Sequence, residues 1–227
     1  MLKLKLTGKR KFILVVVCTA AAVILILPAV VAFFLSRVPP YYKPVSPPNA
    51  AEVSPYLTNY IAPEIHNKSQ FGEPFELVIT EAGLNDIIAR GPWRPTSGGA
   101  SLALPAIIMT EGRILLMATV KYSRVPVVMT VVTSPKLDEA GLLCLNLEKV
   151  SAGTLDVTFI LKKVIEEIIN SNVAGFDGIP AGDISSAMLE NKPFEPVFNA
   201  SDGQVRLTGI DIRDGEVVLQ LTPQAER

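Results

Sequence analysis

The side chains best equipped for covalent or acid–base chemistry are few, and their spacing leaves them little to do. His66 is the only histidine, and one imidazole cannot by itself build a metal site. Of the two cysteines, Cys18 falls in an uncharged apolar run and Cys144 in a predicted strand, so no disulfide framework and no Cys-x-x-Cys centre is expected. Glu166 and Glu167 are adjacent carboxylates, but side by side on the polar face of a helix they point into solvent rather than converge on a substrate. Asp177, Asp183, Asp211 and Asp214 lie beside or near glycines and read as turn and cap residues. A calcium loop needs several acids at fixed offsets, which the stretch from Asp177 to Asp183 does not supply. Neither Gly-x-Ser-x-Gly nor His-Glu-x-x-His occurs. The expectation is a protein that is not an enzyme and takes no cofactor and no metal.

The chain is rich instead in apolar side chains, which make up 49% of its 227 residues. Phe12 to Leu35 contains no charge. As a helix it would be about 36 Å long, enough to cross a hydrocarbon core of roughly 30 Å with some tilt. Residues 1–11 carry Lys3, Lys5, Lys9, Arg10 and Lys11 and no acid. Basic residues beside a span favour the cytoplasmic side, so the expected topology is a single-pass cell-membrane anchor with the C-terminal domain extracytoplasmic. A cleaved signal peptide is the alternative, but its apolar region usually runs only 7 to 15 residues, and Phe33, Phe34 and Leu35 continue past the weak Val30-x-Ala32 site. Pro28 is expected to kink the helix.

Subtracting those five basic residues from 21 Lys+Arg leaves 16 against 22 Asp+Glu, so the outer part carries about −6. That balance excludes nucleic acid as a partner and gives no purchase on anionic headgroups by charge alone.

Four segments follow from composition: a basic tail 1–11, an anchor 12–35, a linker 36–74 and an α+β domain 75–227. The linker holds eight of the 18 prolines, Pro39, Pro40, Pro44, Pro47, Pro48, Pro55, Pro63 and Pro74. Such density favours extended backbone that would hold the domain off the bilayer. A short helix is expected from Ser54 and Pro55 to a stop near Pro63.

Within the domain, 75–79 reads as a strand, and Thr80 caps a helix whose apolar face is Leu84, Ile87 and Ile88. The loop GPWRPTSGGAS, with the only Trp at Trp93, lacks the lysine and the setting of a phosphate loop and reads as a mobile connection. A meander of four strands follows over 101–110, 113–122, 125–134 and 142–150, its first turn at Glu111-Gly112. The helix FILKKVIEEIINSN, residues 159–172, has the apolar stripe Leu161, Val164, Ile165 and Ile168. Asp183 is expected to cap a further short helix. The chain closes with a hairpin around Arg213-Asp214-Gly215 and a bulge at Gly209. The expected fold is a curved antiparallel sheet, meander plus C-terminal hairpin, packed around the amphipathic helix.

The meander is apolar on both faces, more than a half-exposed sheet requires. Three accounts fit that surplus: helices covering both sides, a concave side that holds an apolar ligand, or a protein interface. If a ligand is held, the candidate lining is Leu84, Ile88, Ile114, Leu116, Val120, Val127, Met129 and Val131, closed by Leu161, Val164, Ile165 and Ile168.

Three short patterns also carry a resemblance. They are Thr80-x-x-x-Leu84-Asn85-x-x-Ile88, Gly153-x-Leu155 before the amphipathic helix, and Ile212-x-x-Gly215-x-Val217-x-Leu219-x-Leu221-x-Pro223. On these the chain resembles the YpmS-like bacterial membrane-anchored family and, more distantly, the tubular lipid-binding (BPI-like) superfamily. Where the family pattern tends to place a proline after the leucine, this chain has Asp156-Val157-Thr158. The resemblance implies a role in handling lipid or another apolar envelope molecule and supplies no catalytic residue. The reading from a different class is a scaffold that uses the apolar sheet face to hold an envelope protein partner.

Overall fold

The computed structural model describes residues 8–49, 51–91, 93, 101–122, 125–159, 166, 181–200 and 203–224. Helix α1, Gly8–Leu35, is continuous through Pro28. Its Val15–Leu35 part is long and apolar enough to cross a membrane, and none of that part is buried in the protein. Such a helix is compatible with a single-pass anchor.

The rest is α+β, as the patterning predicts, with the meander and the hairpin in separate antiparallel sheets. Strand β1 (Phe75–Thr80) leads into helix α3 (Glu81–Ala89), which follows an earlier helix α2 (Ala62–Ser69). Strands β2 (Ser101–Thr110), β3 (Arg113–Tyr122), β4 (Val125–Thr133), β7 (Leu147–Ala152) and β8 (Leu155–Asp156) make a five-stranded sheet in that order. Strands β9 (Val197–Ala200), β10 (Gly203–Arg213) and β11 (Glu216–Gln224) join β1 in a four-stranded sheet ordered β1-β11-β10-β9. Helix α4, Ala181–Leu189, begins ahead of Asp183 and not at it.

The predicted strand 142–150 is two pieces. Leu143–Cys144 (β6) pairs with Lys136–Leu137 (β5), and only β7 pairs with β4. Asn146, at φ 31°, turns the backbone between them into a conformation that a strand does not hold. The bulge at Gly209 is present, as a register shift between Leu207 and Gly209.

The two sheets are stitched at their turns. The Gly112 N–H donates to the Ile212 carbonyl at 2.9 Å, and the Gly215 N–H donates to the Met109 carbonyl at 3.1 Å. Helix α3 closes the free edge of β2. The buried Asn85 amide donates to the Ile107 carbonyl at 2.8 Å and accepts the Ile107 N–H at 2.7 Å, replacing a neighbouring strand. One turn earlier, Glu81 accepts the Met109 N–H at 2.7 Å. Thr80 caps the helix through the Gly83 N–H, as expected.

The proline-rich segment packs on the domain. Pro39, Ser54 and Ile61 are buried, and contacts run along much of the segment. The Tyr42 hydroxyl donates to the Leu104 carbonyl at 2.6 Å and lies 3.0 Å from Thr119 Oγ1. The Tyr56 ring lies on α3 where Gly83 has no side chain, since a Cβ there would stand 2.2 Å from it. Extended backbone has no internal hydrogen bonds to satisfy it, so it is free to bond the domain instead.

Pro63 does not stop the second helix. The chain passes through a π-helical turn, Leu57–Ile61, in which the Ala62 N–H reaches back to the Leu57 carbonyl. Helix α2 then restarts with Pro63 in its first turn, where a missing N–H costs nothing.

Asn49 and Ser54 are held on α3 by a clasp. Ser54 Oγ donates to Asp86 at 2.5 Å, Arg90 Nε donates to the other carboxylate oxygen at 3.0 Å, and Arg90 also donates to the Asn49 carbonyl at 2.7 Å. The Ser54 hydroxyl, and after it Arg90, hold the Asp86 carboxyl below the usual carboxylate range. A lowered folded value means that this stabilisation is present above about pH 4 and is lost as pH falls through the folded value. Pepsin digestion of the full chain at stepped acid pH should therefore nick the segment around Ser54 only below about pH 4. In Ser54→Ala the nick should appear at higher pH; identical profiles would count against the clasp.

Candidate functional site

On one face of the five-stranded sheet, register sets apolar side chains in rows. Val127 pairs with Val120, Met129 with Ala118 and Ala152, and Val131 with Leu116 and Val150. Val120 and Met129 are each 8% exposed and Val150 not at all. Met188 of α4 packs on this group, with Ile184, Leu189, Leu145, Leu147 and Val157 around it.

The candidate lining divides accordingly. Val120, Met129, Val131 and Leu116 belong to that α4-covered cluster. Leu84, Ile88 and Ile114 belong to a second cluster, between α3 and both sheets, filled by Ile107, Met109, Ile212 and Val217. Leu116 touches both clusters and joins them. Leu84, Ile88 and Ile114 are thus occupied by the protein's own side chains. Val127 is half-buried and lies in neither cluster. Leu161, Val164, Ile165 and Ile168 lie outside the described residues.

The opposite face is also covered. Ala106, Met117, Val128 and Thr130 are buried there, and the Tyr42 hydroxyl meets Thr119 on the same side by register with Val128. Thr130 Oγ1 has no hydrogen-bond partner among the described residues.

The end of the sheet that carries Val120, Val127 and Ala152 is where α1 joins the domain. The Gly153 N–H donates to the Val128 carbonyl at 2.7 Å. The next residue, Thr154, gives its N–H to the Phe34 carbonyl at 3.1 Å and its hydroxyl to the same oxygen at 3.3 Å. Gly153, at φ 58°, has no Cβ, and one placed there would stand 2.3 Å from the Phe34 oxygen and 2.6 Å from that of Leu35. The domain therefore seats directly on the end of α1, where carbonyls of the last turn have no partner within the helix.

Polar chemistry is sparse. Among the described residues no group of three or more His, Cys, Asp or Glu is placed to hold a metal. His66 lies 2.9 Å from the Gln70 amide nitrogen, on α2 and away from the meander. A surface pocket of about 250 Å³ on the hairpin is lined by Glu76, Asp211, Arg213 and Gln220 together with Ile210 and Val218. Arg213 and Asp211 bond each other at 2.7 Å and so satisfy themselves.

No family model, curated protein or solved structure matches this chain.

Proposed function

We propose that this is a single-span membrane protein, not an enzyme, whose folded domain takes an acyl chain or a similarly apolar ligand at the end of the meander nearest α1. In this reading α1 crosses the bilayer with Lys3, Lys5, Lys9, Arg10 and Lys11 on the cytoplasmic side, and the domain lies outside. The position of Val127 carries the ligand reading. It is half-buried beside Val120, outside both packed clusters, and next to Val128, whose carbonyl bonds the glycine seated on α1. An apolar chain rising from the bilayer beside α1 meets that strand end first. Lining with no charge and no metal suits a ligand held by burial alone, which contributes about 0.8 kcal/mol per CH₂. The lipid-handling role implied by the YpmS-like resemblance points the same way.

The test is photo-crosslinking in cells that express the full chain and are fed a fatty acid bearing a diazirine and an alkyne. Adducts are expected on peptides spanning 114–131 as well as on α1. Val127→Gln should reduce the domain adducts and leave those on α1 unchanged. Adducts confined to α1 would overturn the ligand reading and leave a tethered domain.

A further inference from the structure

Phe159 is 95% exposed, more than any other large apolar side chain among the described residues. Its setting is ordered. Thr158 Oγ1 accepts the Val150 N–H at 3.0 Å and donates to Asp156 at 2.7 Å, while the Thr158 N–H also donates to Asp156 at 3.1 Å. The turn carrying Phe159 is thus tied to β7 and β8. These strands are joined by the same Gly153-Thr154 turn that bonds the end of α1. Phe159 lies five positions after Thr154, a reach of at most about 18 Å. Other exposed apolar side chains stand on the chain as it leaves α1, at Val38 and Tyr41. Between them and the helix, the Arg37 guanidinium lies 4.5 Å from the centre of the Phe33 ring. An arginine and aromatic rings mark the level at which a span meets headgroups.

We infer that Phe159, with Tyr41, seats in the interfacial layer of the bilayer and gives the domain a second point of membrane attachment. The warrant for a lipid surface, over a second copy or a partner protein, is continuity. Val38 and Tyr41 continue the chain directly from the exposed apolar surface of α1, and Phe159 lies within that reach of its end, on a domain too acidic to be drawn to a membrane by charge. The inference rests on α1 crossing the bilayer and not on acyl binding, so the two tests can fail separately.

The experiment uses the full chain in vesicles of phosphatidylcholine and phosphatidylglycerol at 3:1. Phe159→Trp is made in a Trp93→Phe background, so that one indole reports. Phosphatidylcholine brominated near the carbonyls should quench it at least twofold, its emission should be blue-shifted, and acrylamide should quench it weakly. Phe71→Trp in the same background, at a position 78% exposed ahead of β1, provides the water-facing reference. Emission at Phe159→Trp that matches this reference, insensitive to bromolipid, overturns the proposal. So does a blue shift without bromolipid quenching, which would assign the ring to a protein contact. Melting of Phe159→Trp within about 2 °C of its background keeps the reading free of folding defects.

Discussion

Replacing Met129 with aspartate is expected to remove most of the domain's stability. Met129 lies in the middle of the row Ala118–Met129–Ala152, with Val150 and Met188 packed around it. A carboxylate there has no cation within the cluster, and an uncompensated buried charge costs several kcal/mol, about 3 to 5. Since a domain is held together by only about 5 to 15 kcal/mol, the loss should appear as a melting temperature lowered by 10 °C or more, or as failure to accumulate. Thermal unfolding of the full chain in detergent, followed by circular dichroism, reads it. Glu148→Ala on β7, whose side chain pairs with Arg113 at the surface, should shift melting by no more than 1 or 2 °C. Equal melting of Met129→Asp and the parent would dissolve the proposed core.

The second large effect is expected at Asn85. In Asn85→Ala both the N–H and the carbonyl of Ile107 lose their partner, in a place where the asparagine itself is only 7% exposed. Leaving two buried backbone groups unpaired costs about 2 to 4 kcal/mol. Asn85→Asp gives a sharper check. A carboxylate still accepts from the Ile107 N–H, but it donates to the carbonyl only when protonated. Its folded pKa is therefore expected above the usual carboxylate value, and stability should fall as pH rises past about 4 and recover on acidification. That slope is opposite to the one expected at Asp86. Denaturant midpoints between pH 4 and 7 separate the two; a pH-independent Asn85→Asp variant would contradict the bidentate bond.

The elements set by neighbouring residues are legible in the sequence. Strands β2, β3, β4, β10 and β11 follow from alternation of side chains along the chain and from turn residues such as Glu111-Gly112 and Asp214-Gly215. Thr80 and Gly209 are likewise local signals. What stayed hidden depends on partners far away in sequence. Phe75 pairs with Leu221, which puts β1 in the hairpin's sheet, and nothing near Phe75 specifies that. The proline-rich stretch reads as a spacer by composition, yet its attachment depends on Asp86, Arg90, Leu104 and Thr119. Asn85 looks like one more polar position on a helix until Ile107 is placed beside it.

The candidate lining was half legible for the same reason. Period-two patterning identifies Ile114, Leu116, Val120, Met129 and Val131 as one face, and the register agrees. It does not tell which half of that face α3 covers and which half α4 covers. That division depends on how the two sheets meet at Met109 and Ile212, through bonds made by turn glycines.

Bare backbone at Gly153 lets the final carbonyls of α1 touch the β7–β8 turn without a side chain to cushion the joint. Such a joint is stiff. A helix that leans further over in a thinner bilayer would twist the sheet like a handle, or else tear the two Thr154 bonds loose. Mechanical strain in the surrounding lipid would then reach Val127 and Phe159 through a rigid joint only a residue or two wide.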